Sequence, residues 1–582
     1  METAPPTRRQ LLGQAAARSV AAPDPAPFNP DEFAMVGVYG LDWLLDPRFT
    51  RMLDVIAASP GAIRSVRVFG VLSLGRDKVA PLTSAGVWDG PGPPDFSRTL
   101  EALSALTSRG LVPFLPLTFF PPRVSPKPSQ PPDDWDNWST LVQAFLQAVV
   151  TRFGAAEVGR WWFEVWNEPN MPPFWGGDFD RYLDLYRATA AAIAQTGHAI
   201  RLGGPVLAYL PGPEAPSLME RFLRFLADQP GLRCDFLSLH RKGAWTNEEG
   251  DPDLRRLQQA AVDTAEAVLR IVPGRARGMV IVNNEADMLV GFDRPYQPRI
   301  THQSVAWLAA VAAMHDKLNQ AYARQGIRFR AASDNANQHL TQGPFDGRRT
   351  LMTPVSDRMD DLVKLPVYSF YELLRVMGPR RVVDAAAARA VPPGVSYLCT
   401  EGPAGMAALF SQYGTGQQRF SYRMPAPDRP VNVVQFVVDA ARTGARAGLD
   451  SPAMRRAAEL AVAAPIRHEV RLGAEPIVLG PYGTALLWVT PFRPAPLPTP
   501  QWLQARPDGA NTLLRWTPTT APHFYSYEVR RNGAVITPTP LRASFWIDDA
   551  AGYPAAGRRQ YEVRSISVSG NASSWATALV NL

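Results

Sequence analysis

Residues 161–170 read WWFEVWNEPN. An aromatic, apolar run from Trp161 to Trp166 breaks into Asn167-Glu168-Pro169. A segment rich in Trp, Phe and Val is suited to a buried strand. The stretch therefore reads as a core strand driven to its end and finished with a carboxylate.

The same pattern recurs from about Phe33 to Gly378. Short apolar strands ending in polar residues are read at 33–40, 63–70, 111–119, 161–169, 199–206, 234–242, 279–287 and 329–336. Helical segments follow them, among them 180–197 and 253–272, whose apolar residues return every three or four positions. Eight β–α units over about 345 residues predict a (β/α)8 TIM barrel, an α/β fold. A doubly wound open sheet would carry a glycine-rich phosphate turn after its first strand, and VYGLDW at 38–43 is not one.

Beyond about residue 385 the pattern becomes all-β. Strand-like runs at 394–402, 432–441 and 468–491 predict a β-sandwich, with the N-terminal extension a candidate for completing it. The proline-rich stretch 491–502 reads as a linker. After it, alternating segments and the hairpin signal RNGA at 531–534 predict a fibronectin type III-like domain. The expected organisation is a leader at 1–30, the barrel at 31–385, the sandwich at 386–495 and the last β domain at 496–582.

A chain of 582 residues exceeds one core, in keeping with several domains. With 46% hydrophobic residues and 15 Trp it is globular rather than disordered. A net charge of +7 on this length is a solubility charge and forms no nucleic-acid stripe. Cys234 and Cys399 make neither a disulfide framework nor a metal cluster. No apolar run reaches membrane-span length. Arg8-Arg9 followed by Leu11-Leu12 hints at a twin-arginine export signal, although Gln14 and Arg18 interrupt the apolar stretch; the alternatives are a cytoplasmic or an exported chain.

Glu168 ends the fourth strand and Glu285 the seventh. A lone strand-end glutamate is ordinarily a helix cap or a surface ion pair. Two of them at strand ends on one barrel face suit glycosidic cleavage, in which one carboxyl group donates a proton and the other attacks or activates water.

The motif WNEPN at 166–170 resembles the acid/base motif of retaining (β/α)8 glycosidases. FLSLHRKGA at 236–244, VNNEADMLVGF at 282–292, SDNA at 333–336 and RRTL at 348–351 resemble stretches of glycoside hydrolase family 39, in particular its α-L-iduronidase-like members. The resemblance runs from about residue 33 onward and is strongest in the barrel. It implies Glu168 as acid/base, Glu285 as nucleophile and Asn167 as a partner of the sugar 2-hydroxyl. It implies His240 and Lys242 in the sugar subsite, Asp334 and Arg349 on the sugar's hydroxyls and carboxylate, and the Gly291 N–H on that carboxylate. A buried uronate needs cations, which Lys242 and Arg349 would supply. Trp175, in the loop 171–179, is read as an exposed aromatic for stacking on sugar. One departure stands out: Arg67 is kept, but Phe69 takes the place of a histidine usual in the family. A phenyl ring cannot hydrogen-bond a hydroxyl, so the departure bears on which sugar is bound rather than on hydrolysis.

The expected partner is thus a carbohydrate, a uronic-acid glycan, with no nucleic acid, no metal and no cofactor. A β-xylosidase of the same family is the nearest alternative. A catalytically silent carbohydrate-binding protein is the alternative of another kind, and binding alone requires neither an acid nor a nucleophile.

Overall fold

The computed structural model describes residues 27–38, 40–58, 63–73, 86–245, 251–291, 296–333, 350–354, 362–425, 429–442, 461–462, 466–490, 497–508, 511–521, 523–537, 540–549 and 557–581. The twin-arginine stretch lies outside these residues.

Eight parallel strands follow one another around a barrel in sequence order: β1 (Met35–Val38), β2 (Ser65–Val68), β3 (Val112–Leu117), β4 (Trp162–Val165), β5 (Arg201–Ala208), β6 (Phe236–His240), β7 (Val280–Asn283) and β8 (Arg328–Ala331). A parallel bridge between Ser333 and Val36 brings β8 back to β1. Each strand is followed by a helix: Pro47–Ala58, Ser97–Thr107, Asp136–Phe153, Phe179–Thr196, Glu214–Ala227, Leu254–Ile271, His302–Ala321 and Pro366–Val376.

Local chemistry sets the helix ends. Asp178 caps Phe179–Thr196 by accepting from the Arg181 N–H, and Gly197 closes it in the left-handed region at φ 69°. Asp253 caps Leu254–Ile271 in the same way, accepting from the Arg255 N–H.

Within the barrel, Met35, Phe114, Trp162, Phe236, Val282 and Ala332 form an apolar cluster. Phe114 and Trp162 stack at 5.8 Å between ring centroids. The guanidinium carbons of Arg201 and Arg330 lie 4.4 and 4.5 Å from the Trp162 ring. This cluster forms the floor of the barrel. The polar residues of β4, β6 and β7 stand above it, at the C-terminal face where barrel enzymes place their chemistry.

Helix His302–Ala321 is buried on nearly every side because a second layer covers it. That layer is an antiparallel sheet with strands in the order Arg380–Arg381, Val395–Gly402, Gly405–Gln412, Thr484–Thr490, Val431–Val438 and Ala461–Val462, with Arg467–Val470 also on Val431–Val438. Ser411 Oγ donates to Ala306 O at 2.9 Å, and Trp307 packs on Tyr413. On the sheet's other face the pair Gln418–Tyr422 and Glu475–Leu479 completes a sandwich core with Phe410, Ile477 and Leu479. The sheet begins at Arg380, a few residues before the boundary expected at 386. Residues 1–26 lie outside the described residues; Phe28 follows them and donates its N–H to Pro379 O.

The last region holds two antiparallel sheets. Gln504–Asp508, Asn511–Arg515 and Phe545–Asp548 form one; Ala534–Val535, Phe524–Arg531, Arg558–Ser567 and Ala576–Asn581 form the other. Asn532 at φ 48° and Gly533 at φ 83° make the hairpin turn of RNGA. The Arg531 guanidinium and the Tyr561 hydroxyl both hold the Asp548 carboxylate in this core. No described helix is long and apolar enough to cross a membrane.

Candidate active site

The end of β4 is a strained turn held by its surroundings. Trp166 and Glu168 sit in the left-handed region at φ 71° and 46°, a conformation that costs a non-glycine residue about 1–2 kcal/mol. Trp166 is fixed by its indole N–H on Phe174 O at 2.9 Å and by Phe120, 4.4 Å away between centroids. The Glu168 N–H donates to Val206 O at 3.0 Å, where a bulge in β5 turns Val206 itself to φ 59°. Asn170 clamps the same turn: its Nδ2 donates to Ala208 O at 2.8 Å and its Oδ1 accepts from Ala208 N at 2.9 Å. The whole WNEPN stretch thus aims Glu168 over the barrel.

β6 and β7 are tied together beyond their ends. Asn283 exchanges hydrogen bonds with the backbone of Arg241, and Gly243 N donates to Asp287 O. A Cβ at Gly243 would lie 2.3 Å from the Trp307 ring, so only glycine permits this approach. This ribbon carries His240, Lys242 and Glu285 to the site.

His240 Nδ1 is 2.7 Å from Glu168 Oε1 and 3.5 Å from Glu285 Oε1. The ligand atoms of Glu168, His240 and Glu285 all lie within 4.8 Å of one another. Lys242 Nζ donates to Glu285 Oε2 at 2.7 Å, and Arg67 Nη1 donates to Glu285 Oε1 at 3.3 Å. All of these side chains are buried. The trio has the spacing of metal ligands, but the ammonium and guanidinium beside Glu285 oppose a cation there. The polar atoms His240 Nε2 and Asn167 Nδ2 are buried without a hydrogen-bond partner. An orphaned buried polar atom costs about 1–3 kcal/mol, a cost that any ligand offering hydrogen bonds there would remove.

The remaining expected site residues divide. Arg67 is 1% exposed and lies at the centre of a network described below. Phe69 is equally buried, its ring 4.4 Å from the Arg67 guanidinium carbon. Gly291 takes φ 87° in the loop after β7, where Arg299 Nη2 donates to Leu289 O at 2.7 Å. Asp334 and Arg349 lie outside the described residues.

One expectation is corrected. Trp175 is no exposed platform: it is 3% exposed, edge-on to Trp166 at 5.2 Å, with its indole N–H on Asp178 O. The loop folds back on itself, Phe174 N and Trp175 N both donating to Met171 O, and tucks the ring under the turn that carries Glu168. Lys242 has an anionic partner within the site itself. A buried ammonium requires an anion, and Glu285 supplies it.

Glu164 was missed by the sequence reading. It is fully buried on β4, where its Oε2 accepts from Arg67 Nε and Nη2 at 3.0 and 2.7 Å and its Oε1 accepts from Asn284 Nδ2 at 2.7 Å. The available signal was a single charge inside an otherwise apolar aromatic strand.

The model of the family described as "Glycosyl hydrolases family 39" matches residues 94–408. The α-L-iduronidase of Homo sapiens is 32% identical over 229 residues, covering 37% of this chain and 33% of that protein. A β-xylosidase of Caldicellulosiruptor saccharolyticus is 31% identical over 142 residues, 23% of this chain and 28% of that one. The matched stretches span about a third of the length of these curated relatives. Among solved structures, a bacterial orthologue of human α-L-iduronidase has a TM-score of 0.72 at 20% identity, covering 95% of this chain and 97% of that chain. A monomeric β-xylosidase from Caulobacter crescentus CB15 has a TM-score of 0.62 at 18% identity, covering 80% and 98%. At such identities the structural likeness speaks to fold.

Proposed function

Since the chain belongs to glycosyl hydrolases family 39, we propose that it is a retaining exo-glycosidase that releases a terminal uronic acid from a glycan. The observation that carries this reading is the close approach of Glu168 and Glu285, oxygens within 4.8 Å, at the ends of β4 and β7. Retaining enzymes keep their carboxyl groups about 5–5.5 Å apart, whereas inverting ones leave room for a water at about 6.5–9.5 Å.

In the first step a Glu285 oxygen bonds to the anomeric carbon as the glycosidic C–O bond breaks. Glu168 passes its proton to the departing oxygen. In the second step Glu168, now a carboxylate, takes a proton from water, whose oxygen displaces Glu285. Arg67 and Lys242 favour the ionised form of Glu285 before attack. Once the covalent intermediate consumes that charge, Glu168 no longer faces an anionic neighbour and returns as the base. The unpartnered Asn167 Nδ2 faces the same site and is assigned to the sugar 2-hydroxyl.

A neutral-pentoside reading has its own support. The described cations of the site are engaged within it, Lys242 with Glu285 and Arg67 with Glu164 and Glu285. Uronate recognition then rests on Arg349 and the Gly291 N–H. The deciding experiment is kcat/KM on aryl α-L-iduronide against aryl β-D-xyloside, for wild type and Arg349→Ala. The proposal expects a preference for the iduronide that collapses in the variant. A preference for the xyloside, unchanged in the variant, transfers the substrate to neutral sugars.

A further inference from the structure

We propose that Glu164 is a positioning residue that sets the basicity of Glu285 by drawing Arg67 away from it. The inference rests on the assignment of Glu285 as nucleophile. Glu164 does not reach the reacting centre. Both of its oxygens are occupied, one by Arg67 and the other by Asn284, and its side chain is 0% exposed. It is therefore not an acid or base of the reaction.

The distances show how the Arg67 guanidinium is divided. Nη2 and Nε give Glu164 contacts of 2.7 and 3.0 Å, Nη2 also gives Asn167 Oδ1 one of 3.1 Å, and Nη1 gives Glu285 one of 3.3 Å. Among these contacts the shortest goes to Glu164 and the longest to Glu285. In a dry site a guanidinium fully committed to one carboxylate holds it strongly in the ionised form and blunts it as a nucleophile. Glu164 shares that cation, so Glu285 stays ionised through Lys242 yet keeps an electron pair to donate. The same fork turns the Asn167 amide, because Arg67 occupies Oδ1 and leaves Nδ2 for the sugar.

The charged and titratable groups around Glu285 include Arg67 from β2, Glu164 and Glu168 from the β4 segment, His240 and Lys242 from the β6 segment, and the buried Asp287 on its own segment. Replacing Glu164 with Gln removes one negative charge and returns the Arg67 charge to Glu285 and Glu168. The Arg67 guanidinium then serves Glu285 more fully.

The test compares wild type, Glu164→Gln and Glu164→Asp, each checked for folding by circular dichroism. The pKa of Glu285 is read by carbon-13 NMR of protein labelled at the glutamate carboxyl, with the resonance assigned by its loss in Glu285→Gln. In parallel, the pH profile of kcat/KM is taken on whichever of the two aryl glycosides wild type hydrolyses. Glu164→Gln is expected to lower the Glu285 pKa and both limbs of the profile by about one unit, with kcat reduced at least about tenfold. Glu164→Asp keeps the charge and is expected to leave the limbs in place. Unmoved values in Glu164→Gln overturn the proposal, as does an equal shift in Glu164→Asp. If Glu164→Gln does not fold, Glu164→Asn and Glu164→Ser are read in its place: a lowered Glu285 pKa with lowered limbs supports the charge argument, and unmoved values overturn it. The NMR readout needs no turnover, so failure of the glycosidase reading is seen separately, as wild type inactive on both glycosides.

Discussion

Lys242 Nζ lies 2.7 Å from Glu285 Oε2, and each side chain is 2% exposed. On the proposed mechanism, an ammonium held this way serves Glu285 whatever sugar is bound. Lys242→Met is therefore expected to lower kcat/KM on iduronide and xyloside alike, by about 10²–10³-fold. Parallel kinetics on the two aryl glycosides check this. A loss confined to the iduronide would mean that the ammonium leaves Glu285 for the sugar carboxylate.

The double-displacement mechanism makes a chemical prediction about Glu168→Gln. Loss of the acid/base slows hydrolysis by about 10²–10⁴-fold. An activated aryl glycoside still forms the covalent intermediate, because its leaving group needs little protonation. Azide needs no base to attack, so it should restore turnover and give a glycosyl azide of the substrate's own anomeric configuration. Product NMR reads the outcome, and an inverted azide would rule out retention.

Trp175 provides a test of structure against function. It packs among Trp166, Phe120 and Tyr182 beneath the acid/base turn. Trp175→Ala should cost about 3–5 kcal/mol of stability, visible in urea unfolding. Where the variant is folded, KM should change little. A large rise in KM with stability unchanged would restore the sugar-stacking role.

His315 predicts a pH dependence of stability. Burial pushes its imidazole down to about 4, with Nδ1 on Val311 O and the Phe33 ring beside it. A histidine with a lowered folded value is neutral in the native state and takes a proton on unfolding. Its contribution is complete above its unfolded value of about 6.5 and is lost as pH falls toward 4. That window corresponds to on the order of 3 kcal/mol. Urea unfolding at pH 7, 5.5 and 4.5 should show a steeper fall for wild type than for His315→Gln.

The barrel was readable because each strand declares itself twice, by an apolar run and by the polar residues that end it. Glu168 and Glu285 were found through that second signal. Glu164 lacks it, since it sits inside the run, and its partner Arg67 is 97 residues away in sequence. Local pattern carries no information about that pairing, which arises only when β2 and β4 face each other inside a closed barrel. Lys242 was recognised as a site residue, but its contact with Glu285 was not, because sequence spacing does not show which neighbouring anion a cation meets. Trp175 misled for a related reason: position in a loop is visible in the sequence, and the loop's return under β4 is not.

Glu164, Arg67, Glu285 and Lys242 alternate in charge and come from β4, β2, β7 and the β6 end. Cutting the chain between β4 and β5 would leave the acid/base with Arg67 on one fragment and the nucleophile with Lys242 on the other. Neither fragment could hydrolyse anything alone, and each would carry buried charges stripped of their partners. Hydrolysis is in this sense a report on ring closure. Two separately expressed half-barrels that found each other would announce their assembly by releasing a chromophore.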